Sequence, residues 1–308
     1  MVEFGLILAR LLHYTATTTL AGLSLFPLYA YAGAEPEGLR RWRRRLLLWT
    51  AVTALLSGLL WFVFSAANMS GTLGDLADPE VLWTVARDTG FGIIWSVRML
   101  LAVIIVGVTV VSRFSTATIR HDLIMPFLTA ALLASLAGTG HTQIGEGWAI
   151  VVHVASDTAH LLAAGAWLGG LVPLVFMLRR SAQMVEPIDM DRILLRFSGM
   201  GYVAVATLIG SGLINSWFMV GSVPGLLNTL YGQILLGKLA LFAGMLALAV
   251  ANRFWLVPSM SNIRTDAADG SAAWSARLRK HVLGEQFLGW AVLLAVSILG
   301  TMQPAVGQ

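Results

Sequence analysis

Three residues near the middle of the chain have types and a spacing that can do chemistry. They are His153, Asp157 and His160, within HVASDTAHLLAAGAW (153–167). Imidazole and carboxylate both ligate metal ions. Spacings of four and three residues put all three side chains on one helical face, within about 60°. The surrounding run from about Trp148 to Leu178 is apolar and long enough to cross a bilayer. Ionisable groups at that depth are costly, and they face a bundle interior or a cavity. The rise from His153 to His160 is about 10 Å, too long for one ion to be held easily by both. Either one histidine chelates with Asp157 while other helices complete the shell, or the face carries two successive sites.

The elements that must position this ladder are membrane spans. The chain of 308 residues is 57% hydrophobic and 12% charged, about half the charge of a soluble domain. The expected fold is an all-α membrane protein, a polytopic bundle of about eight transmembrane helices. It forms a single integral membrane domain over 1–308 with no separate soluble domain. The spans fall near 4–32, 45–67, 91–112, 122–138, 149–178, 195–220, 231–257 and 280–302, and the fourth is the shortest. Glu3, Arg10 and His13 break the pattern of a signal peptide, so the first stretch is kept as a span. The absence of cysteine excludes disulfides, thiolate metal sites and cysteine nucleophiles. No strand pattern, heptad repeat, phosphate loop, or hydrolase or transferase constellation is visible, so an enzyme is not expected. The net charge of +4 does not indicate nucleic acid, because the basic residues lie between apolar runs.

Those basic residues set the expected orientation. The connections 33–44, 113–121, 179–194 and 258–279, with their flanking span ends, hold 16 of the 20, with the densest cluster at Arg40 to Arg45. The opposite connections hold only Arg87. The positive-inside rule then puts both termini outside, N-out and C-out, with the 68–90, 139–148 and 221–230 loops. PEVLWTVARD (79–88) reads as a short interfacial helix with Leu82, Trp83 and Val85 towards lipid. The 258–279 segment reads as a mobile cytoplasmic link.

Depth below the outer surface follows from the helical rise. His153 comes at about 6 Å, Asp157 at about 12 Å, His160 at about 16 Å and His13 of the first span at about 13 Å. His13 is therefore expected to converge on the ladder. His141, in GTGHT, stands at the outer mouth, whereas His121 and His281 lie at the cytoplasmic side. Arg10, Arg98 and Lys238 also fall in the outer half. They can pair with Asp157, neutralise an anion, or snorkel. Met69, Met99, Met219 and Met302 are candidate accessory ligands, since thioethers suit Cu(I), although methionine in such a chain is mostly packing. Glu285, level with Asn252 and Arg253, is either an exit or proton-relay group or a structural partner of Arg253. Gly165-x3-Gly169 signals close helix packing. The Thr15 to Thr19 cluster is expected to bond to backbone or to neighbouring helices.

HLLAAGAWLGGLVPL (160–174), RFSGMGYVAVATLIGSGLINSW (196–217), YGQILLGKLALFAGMLALAVANRFWLVP (231–258) and the closing span after Glu285 resemble the copper resistance protein D family (CopD, PcoD). TGFGIIWSVRMLL (89–101) fits that family's third span. The resemblance implies an eight-span, multi-pass protein of the bacterial inner membrane associated with copper uptake or tolerance. It also implies a separate periplasmic copper-binding partner of the CopC type. The positions matching the family's polar pattern are His13, His141, His153, Asp157 and His160. The function so implied is passage of copper ions, Cu(I) or Cu(II), from the periplasm inward. Two alternatives stand beside it. One is a b-type haem electron carrier, because paired histidines on bundle helices suit axial ligation. The other is a factor that delivers copper on the periplasmic side.

Overall fold

Long runs of Leu, Ala, Val and Ile form helices, and a bilayer leaves a spanning backbone few other ways to satisfy its polar groups. The computed structural model describes residues 2–112, 118–139, 147–180, 189–256 and 268–307, and among them there is no strand. The helices are α1 (Val2–Ala30), α2 (Glu37–Ser70), α3 (Pro79–Asp88), α4 (Gly90–Val111), α5 (Thr118–Ala134), α6 (Trp148–Ala164), α7 (Gly170–Arg180), α8 (Met190–Val220), α9 (Val223–Asn228), α10 (Leu230–Ala251) and α11 (Ala268–Leu299). A π-helical turn, Gly165–Gly169, joins α6 to α7 in one rod of 33 residues. A second, Asn252–Leu256, extends α10.

Among the described residues, six helices are long and apolar enough to cross a membrane: Glu37–Ser70, Gly90–Val111, Trp148–Arg180, Met190–Val220, Leu230–Leu256 and Trp274–Leu299. The protein is thus an all-α polytopic membrane protein. Helix α1 has 29 residues, about 43 Å of helix, but Arg10, His13 and its threonines lower its hydropathy. Asp122–Gly138 is apolar but short.

Helix α1 lies at the centre. It packs against α2, α5, α7, α8, α11 and the π-turn after α6. Leu20 and Leu23 join Leu47, Ala51, Ile105, Met125 and Leu132 in one core, and Phe26 and Ala30 join a second with α7, α8, α10 and α11. Gly22 and Gly169 let α1 and the π-turn touch backbone to backbone. A Cβ on Gly169 would lie 2.2 Å from the Thr18 carbonyl oxygen and 2.8 Å from Gly22 Cα. The close-packing reading of Gly165-x3-Gly169 holds, and its partner is α1.

Three local expectations are corrected. Helix α2 begins at Glu37, so the whole Arg40–Arg45 cluster is helical. Arg43 is buried there because Glu35 accepts from it at 2.7 Å and Asp122 at 3.1 Å, tying α2 to α5. The segment 258–279 is not wholly a link, since α11 starts at Ala268. Helix α3 covers 79–88 as expected. Asp78 caps it by accepting from the Glu80 and Val81 amides, and Pro79 occupies its first turn. Of the three residues expected towards lipid, Leu82, Trp83 and Val85, only Trp83 turns outward, at 66% exposure. Val85 is buried and Leu82 packs beside it, against Phe62 and Ala66. Gly92 permits this approach, because a Cβ there would sit 2.0 Å from the Val85 carbonyl oxygen.

Candidate functional site

The three ladder residues of α6 line one cavity of about 740 Å³. Its other polar walls include Arg10 and Tyr14 of α1, Asn215 and Ser216 of α8, and Tyr231 and Lys238 of α10. The sequence reading thus placed His153, Asp157 and His160 correctly on a common face. Asn215, Tyr14 and Tyr231 were missed. An asparagine in the middle of the span GLINSW was the available signal for Asn215.

Each ladder side chain is held by a named neighbour. Asp157 Oδ1 accepts from Asn215 Nδ2 at 3.1 Å. His160 Nδ1 lies 2.9 Å from Ser211 Oγ, and that hydroxyl donates to the Thr207 carbonyl at 2.5 Å. With the hydroxyl proton committed, His160 Nδ1–H is the donor and Nε2 carries the lone pair. A second group orienting one imidazole nitrogen and leaving the other as ligand is the usual support of a metal-binding histidine. The His153 ring stacks on Phe218, with centroids 4.6 Å apart and planes 10° apart. Lys238 acts electrostatically on Asp157 without a contact ion pair. Among the described residues no three His, Asp or Glu side chains converge closely enough to hold one ion. The ladder is therefore a series of donors along a cavity wall rather than a closed cage.

His13 does not line this cavity. Its Nδ1 donates to the Ala54 carbonyl at 3.0 Å, and its Nε2 accepts from Arg98 Nη2 at 2.6 Å. Arg98 is fully buried and also donates to the Leu132 carbonyl at 3.0 Å and Ser135 Oγ at 2.6 Å. It is thus a partner of His13 and α5, not of Asp157. Arg10 neither snorkels nor pairs with Asp157. It donates to Tyr14 Oη and to the Gly300 carbonyl, and its guanidinium lies 5.4 Å from the Trp61 ring. Both arginines are buried and bond neutral acceptors.

Of the methionines, Met219 lines the cavity, Met99 is buried beside Gly58 and His13, and Met302 packs near Val220 and Tyr231. Met69 is exposed at the end of α2. His141 lies outside the described residues. Glu285 is buried and bonds Asn252 Nδ2 at 2.5 Å, so its structural partner is Asn252 and not Arg253. It lines a second, smaller cavity of about 120 Å³ with Asn252, Arg253 and Trp167.

Residues 1–152 match the family profile described as copper resistance protein D-like, N-terminal domain, and residues 191–299 match that of copper resistance protein D. Copper resistance protein D of Pseudomonas syringae pv. tomato is 35% identical over 97% of this chain and 96% of its own length. The chain belongs to the copper resistance protein D family. The inner membrane protein YebZ of Escherichia coli is 30% identical over 99% of this chain and 100% of its own length. Copper transport protein CutJ of Bacillus subtilis is 30% identical over 78% of this chain and 44% of its own length. No solved structure matches. With its apolar helices, this member of the family is a multi-pass protein of the inner membrane. The cavity draws on both matched regions: His153 follows the first by one residue, Arg10 and Tyr14 lie within it, and Asn215 and Lys238 lie within the second.

Proposed function

We propose that this chain binds copper ions from the periplasmic side and passes them towards the cytoplasm through the cavity beside α6, without covalent chemistry. The observation that carries the reading is the opening of His153, Asp157 and His160 into one cavity. Imidazole accepts either copper oxidation state, and a carboxylate offsets the charge of the ion. The ladder offers these donors in succession, so an ion can be handed along the wall rather than trapped. A site that releases its cargo is better built this way than as a closed shell. The names of two relatives, copper resistance protein D and copper transport protein CutJ, support the choice of ion. In this reading the chain crosses the membrane eight times with both termini outside. His141 stands at the entrance, and a periplasmic copper-binding protein of the CopC type delivers the ion.

The test is copper content of the purified protein, together with cellular copper after expression. Asp157→Asn preserves shape but removes the charge, and it is expected to lower both several-fold. His160→Ala is expected to do the same. Normal occupancy in Asp157→Asn would remove the carboxylate from the site. Lowered occupancy with unchanged cellular copper would favour delivery on the periplasmic side. A Soret band in the purified protein would replace the copper reading with b-type haem.

A further inference from the structure

Among the described residues, Trp167 is the one that lines both cavities described above. It shares the larger cavity with His160, Asp157 and Lys238, and the smaller with Glu285, Asn252 and Arg253. We propose that Trp167 is the septum between two compartments of a single path, and that the Glu285–Asn252 pair is the second polar station of that path. The inference takes its cargo from the passage reading, but its geometry involves no copper.

Four observations support it. The indole is buried at 3% exposure. It lines the smaller cavity together with Glu285, whose carboxylate Asn252 holds. Its ring meets Phe242 of α10 edge-on, at 6.1 Å and 83°. It also sits in the π-turn, a wide and rarely used geometry that recurs at functional positions. The two glycines that bound the turn press the backbone against α1 and Leu133. The helix therefore has little room to move as a body, and opening falls to rotation of the Trp167 side chain. A cation arriving at Glu285 would stand in the same small cavity as the indole. Occupation of the second station and release of the septum are thereby coupled.

The absence of cysteine in the chain permits a clean test. Single cysteines at Ser216, in the larger cavity, and Ser198, in the smaller, are labelled with a membrane-impermeant methanethiosulfonate cation. Right-side-out and inverted membrane vesicles are compared. With Trp167 intact, S216C is expected to react in one vesicle orientation and S198C only in the other. Trp167→Ala and Trp167→Leu are expected to abolish this sidedness. Labelling of S216C from its original face at an unchanged rate reports that these variants still fold. Glu285→Gln keeps the volume of that side chain but not its charge, and is expected to loosen sidedness in part. Reaction of both cysteines from the same face with Trp167 intact overturns the proposal. So does sidedness that survives in a folded Trp167→Ala or Trp167→Leu protein. Loss of copper binding with this labelling pattern preserved would remove the copper reading and leave the septum. Copper passage without the pattern would do the reverse.

Discussion

His13 and Arg98 show how much a hydrogen bond decides about a residue's role. By depth alone, His13 falls between Asp157 and His160, and a shared site predicts strongly non-additive losses of affinity. The structure engages both of its ring nitrogens with protein groups, and Nε2 accepts from a guanidinium. A cation beside Arg98 would meet like charge in a medium that screens it weakly. We therefore expect the effects of His13→Ala and His160→Ala on copper affinity to add within about 0.5 kcal/mol, as independent sites do. Isothermal titration of the single and double variants measures this. We also expect Arg98→Met to lower stability by about 1–3 kcal/mol, because His13 Nε2, Ser135 and the Leu132 carbonyl then lose a buried donor. Thermal unfolding in detergent reads that loss. The residue types and depth were legible in the sequence. The partner was not, because depth fixes one coordinate and leaves the direction around the helix axis open.

At the scale of the element, the rod from α6 to α7 depends on a contact between backbones. Gly169→Ala would place its Cβ against Thr18 and Gly22, with no flexible side chain able to give way. Overpacking of this kind costs roughly 1–3 kcal/mol. Gly210→Ala, in the interior of α8, meets nothing within 4 Å, and should raise stability by up to about 1 kcal/mol through helix propensity. Opposite shifts in the melting of the two variants are the expected result, and equal shifts would assign the effect to propensity alone. The small-xxx-small spacing was readable in advance. So was α3, from its proline, its cap and its amphipathic run. The burial of Val85 was not, since it follows from the space left by Gly92 on the next helix. The same holds for Glu285, whose choice of Asn252 over Arg253 is set by the rotation of a π-turn that no periodicity announces.

For the whole molecule, the distribution of arginine and lysine is the guide to orientation. Reporter fusions after residue 34 and at the C-terminus are expected to report opposite faces of the membrane, and the same face for both would overturn the proposed depths. The helical class and the location of most spans followed from hydropathy. The central position of α1 did not, because its polar residues make it look like a poor span, whereas those residues are the ones that the other helices enclose. Its Arg10 donates to the carbonyl of Gly300, 290 positions later in the chain. During synthesis at 5–20 residues per second, that acceptor does not exist until about 15–60 s after Arg10 has been made. Through that interval Tyr14 and Trp61 can hold part of the Arg10 guanidinium, but its Nη1 donor has no Gly300 carbonyl to meet. Closure of the N-terminal helix onto the last one is therefore a late event of biogenesis, and a ribosome that stalls before α11 leaves a chain with an exposed cationic seam for membrane proteases to recognise.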